Sequence, residues 1–343
     1  MKVTINDIAR ITNVSKSTIS RVLNESGPVS EKTRKKVMDA VRSLNYQPNE
    51  IARSLSLKRT RTIGVVVQDI RNPYYANACW YTERFFRNYD YRTIICNADN
   101  DPAVEESILN AMKYRNVDGI LCVGMQEDAT SLVNFVSKTD IPIILVDRDI
   151  KWYDVRKVTF DNLYGGQLVA DYLISLGHTK VAIVTSRFTE AERLRLDGFL
   201  EDFRNRNMAV ENRFIITESE EMWHKGERPS LIRLVRSSDP PTAIFASNDF
   251  KAFQVLNNLK KSNIAVPDDI SVVGYDDVEA ASYISPSLTT VHQPIDKMIE
   301  MGAKMLLDGI EKSGPGEKEV VMKPWLVERE STKKLEIGIH VYR

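Results

Sequence analysis

At 343 residues the chain is too long for one ordinary domain and points to two or three. Hydrophobic residues make up 43% and charged residues 27%, no apolar run approaches the roughly 18 residues of a membrane helix, and the start lacks a charged-then-apolar leader. A helical membrane protein is thereby excluded and a cytoplasmic location expected. The net charge of zero conceals a basic head on an acidic body, since residues 1–62 carry 13 Lys and Arg against five Asp and Glu, a balance that suits a nucleic-acid binder with a separate regulatory part.

Residues 4 to 44 read as three short helices. Thr4, with Asp7 three positions on, caps the first, whose apolar face is Ile5, Ile8, Ala9 and Ile11, and Asn13-Val14 breaks it. Ser15 caps the second, Lys16 to about Leu23, with Ile19, Val22 and Leu23 inward and Lys16, Ser17, Ser20 and Arg21 outward. Ser30 caps the third, whose inward stripe is Thr33, Val37, Ala40, Val41 and Leu44. Three compact helices with a tight first turn form a helix-turn-helix unit. Gln47-Pro48-Asn49 ends it, and Asn49 caps a stretch from Glu50 to about Ser56 that is too short to hold a helix alone in water. Its Ile51, Ala52 and Leu55 form a small apolar face fit to pair with a second copy, and Lys58-Arg59-Thr60-Arg61 follows as a phosphate-binding or merely solubilising run.

From Thr62 the pattern changes to near-continuous apolar runs alternating with helical stretches: 62–67, 93–98, 119–124, 141–147, 180–185, 214–217, 243–247 and 270–275. Such runs predict parallel sheets covered on both faces, and there are too many for one sheet, so two doubly wound lobes are expected. Ligands of open α/β sheets bind beyond the carboxyl ends of the strands, which makes the polar residues just after strands the site candidates. Asp147, Asn248 and Asp276 suit hydroxyl groups, Arg195 suits a carboxylate or two hydroxyls, and Tyr74, Phe160 and Trp223 suit stacking on a ring. Each has a structural alternative, as a cap, an interlobe contact or, for the aromatics, a core residue. Arg148, Arg193 and Arg195 together suggest a sugar acid, unless Arg148 pairs with Asp147 or Asp149 and Arg193 points to solvent.

Enzyme chemistry finds little support. The four histidines have no metal spacing, and the sequence contains no nucleophile elbow, phosphate-binding glycine loop or dinucleotide fingerprint. In the doublets Asp268-Asp269 and Asp276-Asp277, neighbours on a strand point oppositely and do not present two carboxylates to one bond. Cys79, Cys96 and Cys122 have neither metal nor disulfide spacing and read as inert thiols. No catalytic residue, metal or cofactor is expected.

The segments Thr-Ile-Asn-Asp-Ile-Ala, Val-Ser-Lys-Ser-Thr-Ile-Ser-Arg-Val-Leu-Asn and Asn-Tyr-Gln-Pro-Asn-Glu-Ile-Ala-Arg-Ser-Leu resemble the headpiece of the lac repressor family over about 55 residues. Asp69 through Tyr75, Val146-Asp147-Arg148, Arg195 through Phe199, Ala246 through Asp249, Val273 through Asp277 and Leu288 through Val291 are similar to that family's core, which resembles periplasmic sugar-binding proteins. The resemblance implies an all-α headpiece at 1–47, a hinge and linker at 48–61 and an α/β effector-binding core of two doubly wound parallel-sheet lobes at 62–343. The first lobe would span about 62–161 and 293–325 and the second about 162–292 and 326–343, with crossings near Asp161, His292-Gln293 and Trp325-Leu326. It also implies a repressor that binds double-stranded operator DNA as a homodimer under control of a small effector, a sugar or sugar acid. A nucleobase or a protein partner in the controlling role is the alternative, and a solute-binding protein without DNA function is the remote one. The second helix would enter the major groove, where Lys16 and Ser17 read base edges or, for Lys16, hold phosphate, and Arg21 matches guanine O6 and N7. Thr4, Ser15, Thr18 and Asn24 would hold phosphates. By resemblance to the family's hinge helix, Asn49, Ala52 and Leu55 would lie at the minor groove with Leu55 wedged at a base step, and Arg195, Asn248 and Asp276 occupy effector-contacting motifs.

Overall fold

The computed structural model describes residues 3–23, 27–46, 59–124, 129–150, 153–186, 189–217, 229–314 and 316–335. They fall into two compact units that part between Arg61 and Thr62. The expected hinge residues Asn49, Ala52 and Leu55, together with Asn24 and Trp223, lie outside the described residues.

The first unit is built from α1 (Ile5–Thr12), α2 (Lys16–Leu23) and α3 (Glu31–Ser43). The Thr4 amide and hydroxyl donate to Asp7 Oδ2 at 3.0 and 2.7 Å, which ties off the start of α1. Asn13, at φ 50°, ends it in the left-handed region that Asn tolerates. Ser30 caps α3 by accepting the Thr33 amide at 3.3 Å. Helical spacing gathers Ile5, Ile8, Ala9 and Thr12 on one face of α1, and Ile8 packs with Ile19, Val22, Val37 and Ala40 in a buried core. Ile11, expected on that face, is exposed instead, because it falls outside the i, i+3, i+4, i+7 series.

Among its described residues the second unit holds two six-stranded sheets. The first is wholly parallel, in the order β2 (Arg92–Asn97), β1 (Thr62–Val67), β3 (Gly119–Val123), β4 (Ile143–Val146), β5 (Lys157–Phe160) and β11 (Glu319–Met322). The second runs β7 (Ile215–Thr217), β6 (Val181–Thr185), β8 (Ala243–Ala246), β9 (Ser271–Asp276), β10 (Thr289–His292) and β12 (Trp325–Val327), parallel except for antiparallel β12. Strands β3, β4, β6, β8 and β9 are buried along their whole length, as sheets with helices on both faces require. Strands β5 and β10 to β12 were absent from the expected runs, since Lys157, Thr159, Thr289 and Thr290 interrupt the apolar signal.

The intervening helices are α4 (Pro73–Arg87), α5 (Pro102–Tyr114), α6 (Thr130–Val136), α7 (Asn162–Ser175), α8 (Glu190–Asn205), α9 (Pro229–Val235), α10 (Asp249–Lys261) and α11 (Ile295–Glu311). The chain leaves the first sheet after Phe160 and returns after His292 through α11, which packs on β3, β4 and α4. Its third passage falls at Lys323-Pro324, just before the expected Trp325-Leu326, because Trp325 already pairs with His292 in the second sheet. Helices α7 and α8 touch backbone to backbone: a Cβ at Gly166 would lie 2.0 Å from the Arg195 carbonyl oxygen, and one at Gly198 1.9 Å from that of Leu163. Only glycine permits this approach, which fixes the position of Arg195.

Burial pushes the Cys79 thiol up to about 11 and the Cys122 thiol up to about 12, so both are unreactive near neutrality.

Candidate functional site

In the first unit α2 is two-faced. Ile19 and Val22 are buried, whereas Lys16, Ser17 and Arg21 are exposed on the opposite side and form a basic, polar surface at the front of the helix. Ser15 Oγ accepts the Thr18 amide at 3.2 Å and lies 2.9 Å from Ser17 Oγ and 2.8 Å from Thr18 Oγ1. Ser15 and Thr18 therefore shape the helix start as well as presenting hydroxyls. The Thr4 hydroxyl is a poorer phosphate donor than expected, because its proton is engaged by Asp7.

In the second unit a cavity of about 340 Å³ opens where the carboxyl ends of the strands of both sheets meet. Tyr74, Asp147, Arg195, Asn248 and Asp276 all line it, although 202 residues separate the first from the last. Arg195, on the first turns of α8, is the organising group. Its Nε donates to Asn162 Oδ1 at 2.8 Å and one Nη to the Ser247 carbonyl at 2.7 Å, and the guanidinium lies 3.8 Å from the Tyr275 ring centroid. The same Nη stands 3.5 Å from Asp276 Oδ1, leaving Nη2 without a partner among the described residues.

Asp276 ends β9 at φ 124° and accepts Gln293 Nε2 at 2.6 Å, and Asp147 follows β4 at φ 52° and accepts the Tyr74 hydroxyl at 3.1 Å. Non-glycine residues rarely adopt such angles, and both carboxylates are aimed by that strain. Burial pushes the Asp276 carboxyl up to about 7 despite Arg195 alongside, and burial likewise raises Asp147, whose Oδ1 has no hydrogen bond among the described residues. Gln293, one of the crossing residues, also stands 3.4 Å from the Tyr74 hydroxyl, so a single side chain touches a cavity residue of each lobe.

The other expected residues sit elsewhere. Arg148 is buried away from the cavity in a two-pronged ion pair with Glu105, and neither Asp147 nor Asp149 is its partner. Phe160 is a core residue, packed edge-on against Tyr275, because the last side chain of β5 points into the apolar layer between sheet and helix. Arg193 is exposed and pairs with Glu190 at 3.3 Å. Asn248 reaches the cavity, but its amide is largely spent: Oδ1 caps α10 by accepting the Lys251 amide at 2.8 Å, and Nδ2 donates to Glu192 at 3.2 Å.

Sequence reasoning missed Glu192 and Lys251, which form a buried ion pair in the cavity wall. The Glu192 carboxylate also accepts the Ser186 amide and hydroxyl and the Ser247 hydroxyl. Burial pushes Glu192 up, yet the Lys251 ammonium and these donors outweigh it and hold the carboxyl below its ordinary value. Both residues lie within the first turns of helices, where a charged side chain ordinarily reads as solvated surface, so composition offered no signal. Arg71, also missed, sits at the mouth and pairs with Asp69 at 2.7 Å and Asp99 at 3.0 Å.

Residues 4–49 match the model for bacterial regulatory proteins of the lacI family, and residues 170–332 match a periplasmic binding protein-like domain. The HTH-type transcriptional repressor PurR of Aliivibrio salmonicida is 31% identical over 97% of this chain and 99% of its own length. The chain belongs to the lacI family. The ribose operon repressor of Escherichia coli is 32% identical over 96% of this lacI-family chain and 99% of its own length. A crystal structure of the lac repressor dimer bound to operator and the anti-inducer ONPF has the same fold, at a TM-score of 0.84 and 24% identity, covering 97% of this chain and 100% of that one. The protein is thus a DNA-binding transcriptional repressor of the lacI family, and these two relatives are named as repressors, not enzymes.

Proposed function

We propose that this repressor is controlled by a small sugar or sugar acid held in the cavity between the two lobes. The observation that carries the reading is a pair of polar atoms there: among the described residues Arg195 bonds through Nε and one Nη only and Asp147 Oδ1 has no donor, and both residues line the cavity. A donor and an acceptor in one cavity suit hydroxyl groups, which both give and take hydrogen bonds. The likeness to a ribose operon repressor supports a sugar.

We further infer a cytoplasmic homodimer in which the head at residues 1–47 binds operator half-sites, residues 48–61 link it to the core, and Lys16, Ser17 and Arg21 read base edges. Effector and operator affinities are then coupled through lobe movement, with reciprocal effects. Selection of bound duplexes from random DNA tests the first part, and the expected result is a two-fold symmetric consensus. Absence of any preferred duplex overturns it. Arg195→Ala tests the second: operator binding persists while its response to effector is lost, and an unchanged response removes Arg195 from the site.

A further inference from the structure

We propose that Gln293 is the positioning residue that ties occupancy of the cavity to the arrangement of the lobes, an inference that rests on the cavity as an effector site. Gln293 is 1% exposed and is not among the residues that line the cavity, so it acts through its neighbours and not by touching a ligand. Its carboxamide stands between the two walls. Nε2 donates at 2.6 Å to Oδ1 of Asp276, which ends β9 of the second lobe, and Oε1 lies 3.4 Å from the hydroxyl of Tyr74, on α4 of the first lobe. A run of polar contacts therefore passes from Arg195 through Asp276, Gln293 and Tyr74 to Asp147, and it changes lobe at Gln293.

The backbone at this point is pinned on both sides. His292, the residue before, is held within the second sheet: its Nδ1 lies 2.7 Å from Asp277 Oδ2, Asp277 Oδ1 accepts Arg329 Nη2 at 2.6 Å, and its ring stacks on Trp325 with centroids 4.1 Å apart. Pro294, the residue after, stands at the start of α11, which packs on β3 and β4 of the first lobe. A proline fixes its own φ and keeps the residue before it out of the helical region, so little rotation is left there to absorb a shift. Movement of the Gln293 side chain is therefore passed to the start of α11.

The Tyr74 hydroxyl supplies the switch. It has one proton and two acceptors within reach, Asp147 Oδ2 at 3.1 Å and Gln293 Oε1 at 3.4 Å. The first bond stays inside the first lobe, and the second ties that lobe to the crossing. Asp147 lines the cavity, so a ligand hydroxyl donating to its carboxyl makes it a weaker acceptor for Tyr74 and turns the Tyr74 proton towards Gln293.

Hydrogen–deuterium exchange of the full chain, read by mass spectrometry, tests the tie without a ligand. In Gln293→Met, amides at the crossings, residues 161–165 and 293–298, should exchange about tenfold faster, while those of β3 and β8 exchange as in the parent. Tyr74→Phe should speed the same segments, and the double variant should be about as fast as Gln293→Met alone, because both changes break one contact. The ligand half is read with the duplex recovered by selection from random DNA. Whichever of D-ribose, D-glucose, D-galactose and D-glucuronate changes the parent's affinity for that duplex should have its effect reduced about fivefold or more in Gln293→Met that is folded by circular dichroism. Unchanged exchange at the crossings, additive effects of the two substitutions, or an undiminished sugar effect overturns the inference and leaves the cavity reading standing. Silence towards all four sugars overturns the sugar reading and the coupling to it, and exchange still decides the tie. If Gln293→Met does not fold, Tyr74→Phe, which keeps the buried ring, decides in its place.

Discussion

Asp276 and Arg148 are both buried charges, and their neighbours give them opposite duties. Arg148 meets Glu105 with two hydrogen-bonding prongs, both side chains 2% exposed, and has no route to a ligand. Removing one member leaves the other charged and unpaired in the core, so Arg148→Met should cost about 3–5 kcal/mol in urea unfolding. Pairing that change with Glu105→Gln should recover part of the loss. Asp276 instead faces the cavity with its carboxyl pushed up to about 7 by burial. An acid whose folded value exceeds its unfolded one holds an extra proton in the folded state between the two. Its contribution to stability is complete below the unfolded value near 3.8 and is lost as pH rises through about 7. Asp276→Asn stays neutral throughout. Its melting temperature relative to the parent should therefore rise between pH 5 and pH 8, and a pH-independent difference would show that Asp276 is ionised across that range.

Helix α2 serves two masters, and its sequence divides them by face. Ile19 and Val22 join the head's core while Lys16, Ser17 and Arg21 remain exposed. Changing these three to Ala should leave the thermal unfolding of the head nearly unchanged, since Ala is a better helix former than Ser and no buried contact is lost. Operator selectivity should collapse in a competition against random duplex, and retained selectivity would place the reading surface elsewhere. Helix α8 is held differently. Glycine contacts at Gly166 and Gly198 set its depth against α7, and the Glu192 network ties its first turn to the ends of β6 and β8. Arg195 therefore enters the cavity from a rigid support, through which, under the proposed function, a ligand there acts on lobe geometry.

At the scale of the whole chain, a basic head and an acidic core divide the work. Binding by the head replaces counterions on the phosphate backbone, so operator affinity should fall steeply between 50 and 200 mM salt, by roughly a hundredfold or more for a dimer with several phosphate contacts. Binding of the proposed effector, which involves no polyanion and so no comparable release of counterions, should change far less over the same range. Linkage requires the effector to alter operator affinity by the same factor as operator alters effector affinity, which paired titrations with and without duplex DNA check directly.

The sequence by itself determined the three-helix head, its caps at Thr4, Ser15 and Ser30, the two-lobed parallel-sheet core and the family, because local periodicity and short motifs encode these within a few residues of one another. It also identified Tyr74, Asp147, Arg195, Asn248 and Asp276 as cavity residues, since each lies in such a motif. Only the tertiary structure decided that Arg148 pairs with Glu105, that Phe160 belongs to the core, and that Glu192 and Lys251 meet in the cavity wall. Those outcomes rest on partners 43, 115 and 59 positions away, and a charge or a ring carries no local mark of the neighbour that will neutralise or cover it.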